Sequence, residues 1–494
     1  MHGEVDGAGV RVRRAAIAVT VCVGLAGCGQ QDHSATPPPH AALRIGFGLT
    51  SGQNPVAGIQ QVARFTALEA LVGIAKDGRP KPWLAEAWST SQDGLTLNLR
   101  LRRGVTFHDG QPVTAGAVRD ILLQQLPEYL GPVIDDVAHV RAIDDYQLEF
   151  GLTRRSAFVL EGLDLLIQRP GPLPVGTGPF GVRSIDAQTI VMAANQSYYE
   201  GPPSIESIRI QPYESTRSAW ADLLRDEVDM LYDVGVDALD SLTPSTGVKV
   251  FAHQRAYAYV VLLNVRKAGL KEARVRRALN MAVDRGAIVA NVLRGKGSIA
   301  DGPVWPHHWS FDRDSPKFSY DPSPIAAESE PLNIHCLFAD GSLERLGIEL
   351  QRQLQAVGVN LILEQVTIDE FYKRVPGGDF DAALADAANG PALLKPYWFW
   401  RSGSPFNWGH YSSPAVDTAL DQVRHSANDE EYKAGVAAFQ RAIVADPPAI
   451  FLAWSERARA VSSRFDLPVE PGRDILSTLR LWRPVGDAGY ANPN

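Results

Sequence analysis

Ten consecutive residues, AYAYVVLLNV (Ala256–Val265), are apolar or aromatic with the single exception of Asn264. A strand with one wet face alternates polar and apolar residues. A run that is apolar at both parities is predicted to be a strand covered on both faces. Such a strand needs helices above and below its sheet, and the rest of the second half supplies them. Leu332–Phe338 reads as a strand, Leu343–Val357 as a helix stopped by Gly358, and Asn360–Val366 as a strand, together a βαβ unit. Val275, Ala278, Leu279, Ala282 and Val283 share one helix face, which places Arg274, Arg276 and Arg277 on the outer side. Asp284 is positioned to cap a second helix through Ile288, Val289, Val292 and Leu293, closed by Gly295. Phe380–Leu384, Ile450–Trp454 and Arg459–Val461 read as further strands, with a helix marked by Tyr432, Val436, Phe439 and Ile443 before the last two. The first half is more mixed. Strands are predicted at Leu43–Gly48, Leu95–Leu101, Val105–Phe107, Gln147–Phe150, Thr189–Ala193, Ile208–Ile210 and Val228–Tyr232. The fold class is α/β.

The N-terminus carries a different signal. Arg11, Arg13 and Arg14 precede the apolar run AAIAVTVCVGLA (Ala15–Ala26), which is shorter than the ~20 residues a membrane-spanning helix needs. Leu25-Ala26-Gly27-Cys28 follows, resembling the cleavage and lipidation box of an exported bacterial lipoprotein. Residues 1–27 are therefore read as a signal peptide and Cys28 as the lipidated residue. Residues 28–42, polar and proline-rich, form a tether of roughly 40 Å reach. Once Cys22 leaves with the signal and Cys28 is acylated, only Cys336 remains, so no internal disulfide is expected. Net charge is −8 without a basic block, which argues against a nucleic-acid partner.

The stretch VTFHDGQPVT (Val105–Thr114) places a histidine beside an aspartate, as in half of a catalytic site. Asp109-Gly110 is also a tight-turn signal and Thr114 an N-cap signal. No GxSxG elbow, HExxH pair or phosphate loop accompanies them, and Gly46-Phe47-Gly48 lacks the third glycine of a dinucleotide fingerprint. His108 and Asp109 are read as a corner of the chain, with a hydrolase as the lesser alternative. His307-His308 has no companion at metal-ligand spacing and is read as loop. No cofactor or metal is expected.

In order and spacing, LAEAWSTSQDGLTLNLRLRRGVTFHDGQPVTAGAV (Leu84–Val118), VGTGPF (Val175–Phe180), LRDEVDMLYDV (Leu224–Val234), VRRALNMAVDR (Val275–Arg285) and QLQAVGVNLIL (Gln353–Leu363) resemble the family 5 extracellular solute-binding proteins of bacterial ABC importers, the peptide- and nickel-binding class. The resemblance implies a two-lobe periplasmic-binding-protein-like fold of the class II or cluster C type. Residues 43–262 would form lobe I, with 51–175 as an extra subdomain appended to it. Residues 263–462 would form lobe II, and 463–494 would return to lobe I. It implies a monomeric lipoprotein, exported and anchored to the bacterial membrane by lipid alone, that delivers a peptide or peptide-like solute to a permease with its ATPase subunits. It does not imply an enzyme. A metal chelate or other small organic anion is the alternative cargo.

Peptide-binding members carry a segment of the form F-D-x-x-L-x-G-W-x-x-D, whose Trp packs on the ligand and whose Asp pairs with the peptide amino group. Here it reads FDAALADAANG (Phe380–Gly390), with Ala387 and Gly390 in those two places. Either Asp386 substitutes, or the solute has no free α-amino group. Asn389 lies beside it. Tyr397, Trp398 and Trp400, in an unusually aromatic stretch, are candidates to line the cleft or to be core. Arg169 is a candidate carboxylate partner. Thr50 and Ser51, after the first strand, and Tyr257, Tyr259 and Asn264, on the strand entering the second lobe, complete the candidate ligand-binding set.

Overall fold

The computed structural model describes residues 42–48, 55–186, 188–235, 247–326 and 332–485. The expected signal peptide, Cys28, the tether, Thr50 and Ser51 lie outside them. Among the described residues no helix is long and apolar enough to cross a membrane.

The organising feature is a pair of long antiparallel strands, Val248–Leu263 and Ala449–Ser462. At about 3.3 Å per residue each runs for about 45–50 Å, enough to belong to two lobes in turn. The run AYAYVVLLNV is thus the second half of a longer strand. The two predicted C-terminal strands are one continuous strand, because the polar residues Ser455-Glu456-Arg457 between them stay in the ladder. On one side the sheet continues through Met230–Leu231, Ala42–Gly48, Ser207–Tyr213, Ile190–Ala194 and Phe180–Ile185. On the other it continues through Ala382–Ala388, Leu332–Phe338 and Val359–Gln365. The predicted βαβ unit is present as a parallel strand pair with the helix Glu344–Gln355.

Strand direction decides where a ligand can sit. Ala42–Gly48, Ser207–Tyr213 and Met230–Leu231 are mutually parallel and run toward the middle of the long pair. Leu332–Phe338, Val359–Gln365 and Ala382–Ala388 are parallel to one another and run toward the same place from the other side. Carboxyl ends of parallel strands, where α/β sheets bind ligands, therefore face each other across the hinge.

Three large apolar cores follow, with two smaller ones around Leu223 and Val228 and around Phe371 and Val375. One packs under the first half-sheet around Leu43, Ile45, Ile208, Ile210 and Trp482. Another lies under the second around Val261, Leu263, Leu279, Leu350 and Leu384. The third joins the segment around Leu71–Ile167 to the helices Leu394–Trp400, Pro414–Arg424 and Asp429–Ala445. This segment holds the four-stranded antiparallel sheet that contains the alternating strand Thr96–Leu101. It is fastened both ways. The buried Glu69 carboxylate accepts hydrogen bonds from Trp83, Thr177, Tyr198 and Tyr199. The Glu161 carboxylate accepts from Leu394 N at 3.0 Å and Tyr432 OH at 2.6 Å.

Three local readings are corrected. Val105–Phe107 forms no strand, only an isolated bridge from Thr106 to Pro112, because the turn that follows leaves no room to extend a ladder. The strand expected at Phe380–Leu384 is shifted to Ala382–Ala388. Arg276 is buried rather than outward, its guanidinium donating to the carbonyls of Leu270, Lys271 and Pro447 and pairing with Asp446. A periodicity argument sees only that arginine is polar. It cannot see the Pro447 carbonyl and the Asp446 carboxylate, some 170 residues along the chain, coming to rest beside it.

Two predictions follow from this packing. Gly297, with φ of 132°, starts the short strand Gly297–Ile299 beside the hinge, and a Cβ there would lie 2.6 Å from Trp454 O. Gly297→Ala should destabilise the protein by about 1–3 kcal/mol in urea unfolding. Burial lifts the Glu161 carboxyl to about 7, against the Tyr432 and Leu394 hydrogen bonds, which favour the ionised form. A raised carboxyl binds its proton more tightly folded than unfolded, so its contribution is full below the unfolded pKa and declines as pH rises through 7. The unfolding free energy, measured in urea from pH 4.5 to 7.5, should fall by on the order of 3 kcal/mol through this group. In Glu161→Gln that part of the slope should be absent.

Candidate functional site: the interlobe hinge

The long pair is interrupted where the two halves meet. Gln254 pairs with Glu456 and Ala258 with Trp454, so Arg255, Ala256 and Tyr257 oppose Ser455 alone. Such a bulge leaves residues out of the ladder, bends the strand and re-aims side chains. It directs Arg255 across to the second half-sheet, where Nη1 donates to Asp386 Oδ2 at 2.9 Å. The Arg255 guanidinium lies 3.9 Å over the Tyr257 ring.

Arg457, one turn of the pleat beyond Ser455, meets the same oxygen of Asp386 at 3.2 Å. Its other terminal nitrogen donates to Asp233 Oδ2 at 3.1 Å. Asp233 follows the first-half strand Met230–Leu231, and Asp386 lies on the second-half strand Ala382–Ala388. A row of alternating charges, Arg255–Asp386–Arg457–Asp233, therefore spans the hinge from one half-sheet to the other. Asp233 above all, and then Tyr259 and Asp386, raise the Arg457 guanidinium above its ordinary value despite burial, so it stays charged. Beside this row Arg459 pairs with Asp474 and stacks 3.9 Å over Tyr232. His253, 3.7 Å from Asp474, is pushed down to about 4 by burial and is neutral at pH 7.

Several buried polar atoms here have no hydrogen-bond partner within the protein: Asp386 Oδ1, Asp233 Oδ1, Arg457 Nε, Ser455 Oγ and Asn389 Oδ1. Buried polar atoms left unmatched cost about 1–3 kcal/mol each, so their concentration marks a surface suited to a polar guest. The surface offers both acceptors and donors.

The sequence-derived candidates divide. Asp386, Tyr257, Tyr259 and Asn389 converge on the hinge. Tyr259 stands opposite Asp386 in the ladder, and burial lifts its hydroxyl to about 12. Asn264 does not join them. It lies just past the end of the strand, seven residues and about 23 Å beyond Tyr257, and its amide donates to the carbonyls of Gly378 and Phe380. Tyr397 is fully buried, edge-on to Phe158, with its hydroxyl on Arg424. Trp398 packs edge-on to Tyr129 at 5.3 Å, with Lys395 Nζ 3.6 Å from its ring centre. Burial lowers that lysine to about 8. Trp400 lines an apolar pocket together with Val260 and Ala385. Arg169 pairs with Asp109 at 2.6 Å and lies over Phe107.

That last contact also places the His108–Asp109 stretch. His108 Nε2 lies 2.9 Å from Gly178 O, and Gly176 N donates to His108 Nδ1 at 3.3 Å. Asp109 accepts from Gln111 N inside the turn. These groups tie the corner to the VGTGPF junction, and both histidine nitrogens are engaged by backbone. Among the described residues no group of three or more His, Cys, Asp or Glu is placed to hold a metal ion.

Arg255, Arg457 and Asp233 were not singled out from sequence. The available signal was WSERAR (Trp454–Arg459), a charged stretch flanked by apolar strand on both sides. Its polarity reads as a break between strands, whereas in the fold it is the hinge.

Two half-sheets, joined by crossing strands and facing each other through the carboxyl ends of their parallel strands, define a two-lobe binding protein. The chain belongs to the bacterial extracellular solute-binding proteins, family 5, whose model matches residues 79–409. It is 25% identical over 403 residues to the probable D,D-dipeptide-binding periplasmic protein DdpA of Escherichia coli, covering 75% of this chain and 78% of that protein. It is 23% identical over 455 residues to the oligopeptide-binding protein AppA of Bacillus subtilis, covering 81% and 83%. The crystal structure of NikZ from Campylobacter jejuni in complex with Ni(L-His) superposes with a TM-score of 0.78 at 20% identity, over 90% of this chain and 100% of that one. The latter likeness is one of fold.

Arg457→Ala would leave Asp233 without its cation and Asp386 with Arg255 alone. It should cost on the order of 3 kcal/mol in urea unfolding, and the double variant Arg457→Met/Asp233→Leu, which leaves the Arg255–Asp386 pair whole, should recover most of that loss. Equal instability of the two variants would show that the row is not coupled.

Proposed function

We propose that this protein captures a peptide or peptide-like solute between its two lobes and delivers it, chemically unchanged, to the permease of an ABC importer. Residues 43–262 with 463–494 form the first lobe in this reading, and 263–462 the second. A signal peptide directs export, and a lipid on Cys28 anchors the monomer to the membrane. The protein acts by closing, not by catalysis: a solute that touches both lobes stabilises the closed state, which the permease recognises. Dipeptide- and oligopeptide-binding relatives support the class of cargo.

The observation that carries the finer reading is the state of Asp386. Its carboxylate is already shared by Arg255 and Arg457. A solute ammonium within about 5 Å of either guanidinium would meet about 3 kcal/mol of repulsion at an effective dielectric constant near 20. Asp386 is therefore a poor substitute for the missing amino-group anchor, and the favoured solute has a blocked, absent or distant amino terminus. Calorimetry with Ala-Phe and N-acetyl-Ala-Phe tests this. Acetylation is expected to leave affinity unchanged or improve it. A loss of tenfold or more on acetylation, about 1.4 kcal/mol, would make an ammonium anchor necessary and the reading wrong.

A further inference from the structure

Where the segment around Leu71–Ile167 meets the second half, most polar contacts pair opposite charges or engage backbone carbonyls. Asp136 accepts from Arg424 at 2.6 Å, with His425 3.8 Å away. Arg79 pairs with Asp429 at 2.7 Å and lies over Trp309. Trp305 Nε1 donates to Lys76 O, and Trp309 N to Asp77 O. Tyr129 OH donates to Asp164 at 2.6 Å, and Lys395 Nζ lies 3.4 Å from the same hydroxyl. Glu161 is the exception. It ends the short helix Ala157–Glu161 and is buried at this contact. Among the described residues its two oxygens are met by the Tyr432 hydroxyl and the Leu394 N–H, and not by a cation.

The ionisable groups that face Glu161 are engaged elsewhere. On its own turn Asp164 is a second carboxylate, balanced by Lys395 from the helix Leu394–Trp400. The helix Asp429–Ala445 brings Tyr432 and, in its first turn, Asp429, which Arg79 takes. His308 stacks on the Tyr432 ring with centres 6.0 Å apart, and burial pushes it down to about 3, so it is neutral. From the helix Pro414–Arg424, Arg424 is taken by Asp136, and Asp417 and Asp421 by Ser402 N and Arg401. Asp135 is exposed, and the strand Val72–Ile74 carries no charge. An ionised Glu161 thus has two hydrogen bonds as its compensation for burial, and its nearest charge is another carboxylate.

We infer that Glu161 is a proton-operated latch of the closed protein: with its proton it holds the segment against the second half, and without it the two part more readily. Parting takes Glu161 from Tyr432 and Leu394 and returns its carboxyl to water. Its value then drops from about 7 to the ordinary 4.5, so closing takes up a proton. The latch is at full strength below 4.5 and weakens as pH rises through 7. Between pH 5 and 7.5 the ratio of closed to open protein should fall about fiftyfold. A solute held by closure is released more readily over the same range. The inference rests on the lobes closing as proposed, but not on the nature of the cargo.

Leu394 is the first residue of its helix, so its N–H has no partner within that helix and is protected through Glu161. Amide exchange on the full chain, followed by NMR with selective leucine and tryptophan labelling, therefore reads the latch. Protection of Leu394 and of Trp309, whose N–H crosses the same contact to Asp77, should fall together about fiftyfold from pH 5 to 7.5, after correction for intrinsic rates. In Glu161→Gln both should stay level with pH. If that variant fails to fold, Tyr432→Phe carries the comparison. It removes a hydrogen bond that favours the ionised form, so the fall should move to higher pH. A histidine ordinarily changes charge in this range, and His425→Gln, at the same contact, should keep the fall. A fall that persists in Glu161→Gln, stays in place in Tyr432→Phe, disappears in His425→Gln or involves Leu394 without Trp309 would overturn the latch. Exchange of both amides no faster than that of Val261 in the central ladder would mean that the halves part only on unfolding. That result would remove the closing reading together with the latch.

Discussion

The interaction on which the arrangement depends is the grip of Arg457 on two carboxylates that belong to different lobes. A guanidinium presents nitrogens in a planar fork, so one side chain can hold Asp233 with one end and Asp386 with the other. Because Arg457 lies on a strand common to both lobes, the charge match is made at the pivot and need not be broken over a long lever. Arg255, displaced from the ladder by the bulge, balances the second carboxylate. The row is neutral as a whole, which lets it be half-buried without the desolvation penalty of a lone charge.

This neutrality shapes what the cleft can recognise. A site that ends in an unpaired aspartate selects a cation. A site whose aspartate already has two arginines selects by hydrogen bonding. The unmatched oxygens and nitrogens around Asp386, Asp233, Asn389 and Arg457 supply the groups for it.

The segment around Leu71–Ile167 gives the pivot its surroundings. Glu69 fastens it to Thr177, Tyr198 and Tyr199 near the first half-sheet, and Glu161 to Leu394 and Tyr432 in the second half. Both are buried carboxylates whose protons are held more tightly by burial. Tyr397, Trp398 and Trp400 show how one aromatic run is divided by such contacts. A helix places successive residues about 100° apart, so Tyr397 meets Phe158 and Arg424, Trp398 meets Tyr129, and Trp400 turns to the apolar pocket.

The order of elements was legible because it is local. The apolar run at Ala256–Val265, the βαβ period from Leu332 to Val366 and the caps at Thr114 and Asp284 each depend on residues within a few positions of one another. The turn at His108–Asp109 was legible for the same reason, as Asp-Gly chemistry and not as catalysis. What sequence could not settle is pairing between distant segments. Burial of Arg276, the unbroken course of Ala449–Ser462 through its charged middle, and the sharing of Asp386 by two arginines all require knowing which carbonyl or guanidinium comes to rest beside which strand. Periodicity assigns a residue to a face. Only the closed sheet decides what that face meets, because contact energies are set by atoms a few ångströms apart in space and not by their separation along the chain.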